Sequence, residues 1–155
     1  MSRVNSSERL ILFTRYPEPG KTKTRLIPLL GPHGAANLQK QMTEHVLART
    51  GGFVSERSID MEVRYDGGNQ RLMEEWLGGH MSYRSQGRGD IGSRMAQAFS
   101  RAFRQGKKRV VIVGSDCPGI NEATVKSAFD LLAQFDLVLA QKYTIILSGP
   151  QESRP

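Results

Sequence analysis

Leu10-Ile11-Leu12-Phe13-Thr14 runs straight into Arg15-Tyr16-Pro17-Glu18-Pro19-Gly20-Lys21-Thr22-Lys23-Thr24-Arg25-Leu26. The first five residues form a continuous apolar run, as expected of a strand covered on both faces. The two prolines and the glycine then exclude a helix and impose a rigid turn. Arg109-Val110-Val111-Ile112-Val113 and Asp136-Leu137-Val138-Leu139-Ala140 repeat the same kind of run. Three more segments read as strands. Ser58–Tyr65 alternates, with Ile59, Met61, Val63 and Tyr65 on one face. A short strand lies around Met81–Arg84, and another at Tyr143–Leu147.

Helical patterns separate the strands. Gly34–Thr50 carries Ala35, Leu38, Met42 and Val46 at helical spacing. Asn69–Leu77 carries Leu72, Met73, Trp76 and Leu77. Ile91–Arg104 carries Ile91, Met95, Ala98, Phe99, Ala102 and Phe103, with Gly106 as its stop. Asn121 is an N-cap for a helix reaching Phe135 with Val125, Ala128 and Leu132 inward. Strands alternating with helices predict an α/β fold, a Rossmann-like three-layer α/β/α sandwich with a mostly parallel sheet. At 155 residues, with no repeat or linker, residues 1–155 read as a single domain. Ligands of such sheets bind at the C-terminal strand ends, so the loops after the first, third and fourth strands are the places to look.

Composition narrows the chemistry. One cysteine, Cys117, excludes an internal disulfide and a multi-cysteine zinc site. It suits a reducing, cytoplasmic setting, and the polar start of the chain shows no secretory signal. No stretch is long and apolar enough to span a membrane. His33, His45 and His80 lack ligand spacing. The net charge of +7 favours anionic partners. The cations are spread over several elements without interleaved aromatics, which argues against nucleic acid.

Three loops carry candidate chemistry. After the first strand, Lys21, Lys23 and Arg25 alternate with threonines, and an extended backbone would point all three to one side, toward a diphosphate or triphosphate. Arg15 precedes them at the strand's end. The glycine pattern is not that of a Walker loop, and a solvated basic turn would read the same way. After the third strand comes Gln86-Gly87-Arg88-Gly89-Asp90-Ile91-Gly92-Ser93-Arg94-Met95. Gly87 and Gly89 allow close backbone approach to a ligand. The helix that follows offers free N–H groups to an anion, with Arg94 in its first turn. Asp90 is either that helix's cap or the loop carboxylate placed to act as a base. After the fourth strand, Gly114-Ser115-Asp116-Cys117-Pro118 sets Asp116 where a carboxylate would hold Mg²⁺ or Mn²⁺ together with phosphate oxygens. An Asx-turn is the alternative there.

In order and spacing these three motifs resemble the DUF2064 family of glycosyltransferase-A-like proteins, across roughly residues 10–139. The resemblance implies a nucleotide-diphospho-sugar transferase fold, with the nucleotide in the crevice above the sheet and its phosphates near Lys21, Lys23 and Arg25. It implies Asp116 as the metal ligand, and a nucleotide or sugar pocket lined by Arg94 and the Gly87–Gly92 turn. The activity it implies is transfer from a nucleotide-diphospho-sugar to an acceptor the sequence does not identify. Nucleotidyl transfer to a phosphorylated acceptor, or nucleotide binding without turnover, would use the same loops. From about residue 140 the chain departs from the family pattern, where an acidic motif is expected. Tyr143–Leu147 then reads as an uncovered apolar edge, which predicts a homodimer through that segment.

Overall fold

The computed structural model describes residues 6–117 and 119–134, together with the backbone of two strands at 137–140 and 144–148. The strands are β1 (Glu8–Arg15), β2 (Asp60–Asp66), β3 (Ser82–Ser85), β4 (Arg109–Gly114), β5 (Leu137–Ala140) and β6 (Thr144–Ser148). The helices are α1 (Ile27–Arg57), α2 (Gln70–Leu77), α3 (Ile91–Arg104) and α4 (Glu122–Leu131), and one 3₁₀ turn covers Thr24–Leu26. The sheet order is β3-β2-β1-β4-β6-β5. β1 to β4 pair in parallel, and β6 runs antiparallel between β4 and β5. The α/β reading with a mostly parallel sheet is therefore what the chain adopts.

β1 is buried along almost its whole length because both faces are used. Leu10 and Leu12 meet Val111 and Val113 of β4, Val46 and Phe53 of α1, and Val125, Ala128 and Phe129 of α4. Ile11 and Phe13 meet Val110, Ile112, Ala98, Phe99 and Ala102 on the α3 side. α2 packs Met73 against Val63 and Tyr83 in a smaller third cluster. Each fully buried Val, Leu or Phe side chain contributes about 1.5–3 kcal/mol, and this fixes the strand faces.

Two sequence expectations shift. α1 is longer than Gly34–Thr50. It opens with a turn at residues 27–30, kinks at Gly31 (φ 75°) before Pro32, and continues through Gly51-Gly52 to Arg57. Each helical glycine costs about 1 kcal/mol relative to alanine, and burial of Phe53 outweighs it. Of the expected apolar stripe of α1, Ala35 and Val46 are buried, but Leu38 and Met42 give way to polar neighbours. Ala36, Gln39, Thr43, Val46, Thr50 and Phe53 face inward, while Leu38 and Met42 line a small surface cavity of ≈ 240 Å³. The second shift concerns the tail. Tyr143 lies outside the described residues, and β6 is flanked on both sides, so the sheet edge on that side is β5. The edge-strand argument for a homodimer through residues 143–147 fails on that placement.

Arg57 ties three elements together. It donates to Glu8 of β1 at 2.9 and 3.0 Å and to Asp130 of α4 at 2.8 Å. Its guanidinium also stands 5.6 Å from the ring centres of both Phe53 and Phe129. The hydrogen bonds to Glu8 raise the Arg57 pKa further, and Lys126 and Arg57 hold the Asp130 carboxyl below its usual value. Arg57→Ala is expected to destabilise the chain by about 1–3 kcal/mol in denaturant titration. A depressed carboxylate contributes stability above its ordinary pKa and loses it as pH falls through the folded value. The Asp130 share of the difference between wild type and Arg57→Ala should therefore fade below about pH 4.

Candidate functional site

The C-terminal ends of β1, β2, β3 and β4 form a crest, and the loops there are built on buried polar contacts. Gln39 of α1 donates to Thr14 at 3.0 Å, to Thr43 at 3.3 Å and to Ser115 at 3.1 Å. The Thr14 and Thr43 hydroxyls are 2.7 Å apart. Gln86 donates to the carbonyls of Thr14 (3.0 Å) and Arg64 (3.3 Å) and accepts from Arg94 at 3.1 Å. The end of β1 is thus wired to the loops on both sides. These groups are inside because hydrogen bonding offsets the cost of burying them. Gln39, Thr43 and Gln86 escape a reading that counts only apolar residues. The available signal is that Gln39 and Thr43 sit four apart, in phase with Val46.

On the first loop the expected extended row of cations does not form. Thr22 is fully buried, accepting from the Glu18 N–H at 2.9 Å and donating to the Tyr16 carbonyl at 3.0 Å. Lys23 adopts a left-handed backbone (φ 48°, ψ 48°), and Arg25 falls in the 3₁₀ turn. A left-handed residue reverses the chain, so alternation no longer applies. Lys21 lies 3.3 Å from Glu18. Arg25 is exposed and makes no ion pair among the described residues. Lys23 reaches across to Asp116, Nζ to Oδ1 at 2.8 Å.

Asp116 therefore joins the first and fourth loops. Its side chain is 58% exposed, whereas Lys23 is 17% exposed. Oδ2 accepts no hydrogen bond among the described residues. No group of three or more potential metal-binding side chains occurs among them either. One open carboxylate oxygen beside a basic loop fits a Mg²⁺-type ion whose remaining ligands are phosphate oxygens and water. Cys117 packs, partly buried, against the core beneath this turn.

On the other side, Asp66 at the end of β2 binds Arg15 at 2.9 Å and lies 3.5 Å from Arg94. Arg94 also donates to the Gly89 carbonyl at 2.9 Å. Arg15 and Arg94 are thus spent largely on holding the glycine turn. Asp66 is a further site residue, detectable only as an acid just past a strand, as Asp116 is. Gly87 (φ 87°) and Gly89 (φ 98°) both require the left-handed backbone. At Gly87 a Cβ would stand 2.6 Å from the Gln97 amide oxygen. Asp90 caps α3, accepting from the Ser93 N–H at 2.8 Å. That backbone hydrogen bond holds its carboxyl below the usual range.

A search of curated proteins finds no match. The family model described as uncharacterized proteins conserved in bacteria, DUF2064, matches residues 50–143. The chain belongs to the DUF2064 family. Among solved structures, the fold of this DUF2064 member is similar to that of a candidate nucleotide-diphospho-sugar transferase from Desulfovibrio desulfuricans G20. The TM-score is 0.83 with 30% sequence identity, over 92% of this chain and 64% of that one. The DUF2064 chain thus spans just under two thirds of that relative's length. No helix among its described residues is long and apolar enough to cross a membrane.

Proposed function

We propose that the crest binds a nucleotide-diphospho-sugar and that the chain transfers the sugar to an acceptor. The observation that carries this reading is the Lys23–Asp116 bridge at 2.8 Å. It puts the basic loop and the strand-end carboxylate within reach of one diphosphate. The solved relative at 30% identity supports the same class of donor.

In this reading Lys21 and Arg25 receive the donor's diphosphate, and Lys23 leaves Asp116 to join them. The freed Asp116 carboxylate would hold Mg²⁺ or Mn²⁺ together with phosphate oxygens, and the ion would supply charge neutralisation of the leaving diphosphate. Arg15 and Arg94, through Asp66, keep the Gly87–Gly92 turn in place against the nucleotide or sugar. The acceptor oxygen bonds to the anomeric carbon as the carbon–oxygen bond to the diphosphate breaks. The electron pair departs with the nucleoside diphosphate, and the acceptor's proton passes to Asp90. Among the described carboxylates of these loops, Asp90 alone has no cationic partner, since Glu18, Asp66 and Asp116 are paired. Its low pKa makes it a receiver of the proton only once the acceptor oxygen has begun to bond.

Asp90→Asn separates the two roles of that residue, because asparagine caps a helix as well as aspartate does. The variant should keep its melting temperature and lose on the order of 10²-fold in kcat. An unchanged kcat would leave Asp90 a cap and nothing more. Nucleotidyl transfer to a phosphorylated acceptor is the second reading, favoured by an arginine-rich pocket beside the glycine turn. Product analysis divides the two: nucleoside diphosphate marks sugar transfer and pyrophosphate marks nucleotidyl transfer.

A further inference from the structure

The larger described cavity is not at the crest. It lies on the flank of the sheet between β2–β3 and α3, with a volume of ≈ 730 Å³, within the range of small-molecule sites. Arg64, Arg84, Arg101 and Arg104 line it, with Gln97 and Ser100 between them, and no carboxylate does. Tyr83 also lines it, and burial pushes its phenol up to about 12, so it stays neutral. Arg84, Arg101 and Arg104 make no ion pair among the described residues. Cations suit the last turn of α3 through the helix dipole, which covers Arg101 and Arg104. The dipole does not explain Arg64 and Arg84, which come from the sheet.

Arg64 is the second observation. It is 4% exposed, and its Nη2 has no hydrogen-bond partner among the described residues. Its pairing to Glu62 belongs to a largely buried cluster that also holds Arg9, Lys107 and the partly exposed Asp60. That cluster contains one more cation than anions. A buried excess charge is costly until an opposite charge compensates it, and Arg64 is the member of the cluster that lines the arginine pocket.

We propose that this flank pocket is a second ligand site, and that it takes a small phosphorylated molecule. Gly87 belongs both to its wall and to the glycine turn of the crest. Resting on the proposed transfer reaction, whether of the sugar or of the nucleotidyl group, the ligand is the acceptor, presented to the donor across that turn.

Titrating inorganic pyrophosphate and ribose 5-phosphate into the ¹⁵N-labelled chain tests this by NMR. The amides of Arg84, Gln97, Ser100 and Arg101 are expected to shift. The combined Arg84→Gln, Arg101→Gln, Arg104→Gln variant should weaken binding about tenfold or more. Ser100→Glu, a single change at an exposed position, should do the same if the triple variant fails to fold. Shifts confined to residues 20–25 and 89–93, or unchanged affinity in Ser100→Glu, would overturn the site. A single-stranded oligonucleotide binding these residues more tightly than either probe would overturn the small-molecule assignment. Flank shifts in a chain that binds no nucleotide-sugar would uphold the site and remove its role as acceptor pocket.

Discussion

Glu62→Ala is expected to destabilise the chain by about 3–5 kcal/mol, the range for removing one partner of a buried ion pair. Glu62 is 4% exposed and stands between Arg9, at 3.1 Å, and Arg64, both buried. Without it Arg64 loses its only carboxylate among the described residues, and Arg9 keeps Asp60 at 2.7 Å. Two guanidinium groups would then lie close together in the low-dielectric space beneath α3, with one carboxylate fewer between them. Glu62→Gln should cost less, because the amide oxygen still accepts from one arginine while the charge is lost. Urea titrations of the two variants check the order. A Glu62→Ala chain as stable as wild type would show that the cluster is solvated or rearranged. It would also remove the excess charge on which the flank site rests.

That cluster marks the limit of what the amino-acid sequence discloses. Continuous runs such as Leu10–Phe13 and Val110–Val113 betray buried parallel strands, since few other placements hide both faces. Ser58–Tyr65 shows its alternation correctly for Met61, Val63 and Tyr65, but nothing in that pattern marks the intervening Glu62 and Arg64 as buried. They are buried because parallel pairing sets Arg9 of β1 beside Asp60 and Glu62, a partnership of residues far apart in the chain. The crest shows the same division. Its three loops were legible as loops, because proline and glycine punctuate them. Their internal geometry was not. Thr22 turns inward to satisfy the loop's backbone, Lys23 becomes left-handed, and the expected row of cations breaks up, Lys21 pairing with Glu18 and Lys23 with Asp116 while Arg25 stays exposed. Gln39 was lost to a reading that buried Leu38 and Met42 instead. The hydroxyls of Thr14 and Ser115 that draw Gln39 inward come from β1 and from the loop that follows β4.

Asp116→Ala is the second large effect. In the proposed function Asp116 holds the metal and, without ligand, restrains Lys23. Removing it should abolish the metal dependence of donor binding altogether, while Lys23 is released and still available to phosphate. Since Asp116 is more than half exposed, the folded state should be nearly unaffected, within about 0.5 kcal/mol. Lys23→Ala gives the complementary pattern. It leaves both carboxylate oxygens open, so Mn²⁺ should bind the ligand-free chain more tightly than it binds wild type, while the donor binds less tightly. A variant that weakened both would indicate that Lys23 mainly shapes the loop.

The most direct measurement is calorimetric titration of the full chain with UDP-, GDP- and TDP-sugars, with and without Mn²⁺. The account predicts that at least one donor binds, that Mn²⁺ strengthens the binding, that Asp116→Ala removes this strengthening, and that Lys21→Ala lowers the affinity. Absence of binding to every donor by a chain shown to be folded would contradict it, and the crest would then be a scaffold without a nucleotide.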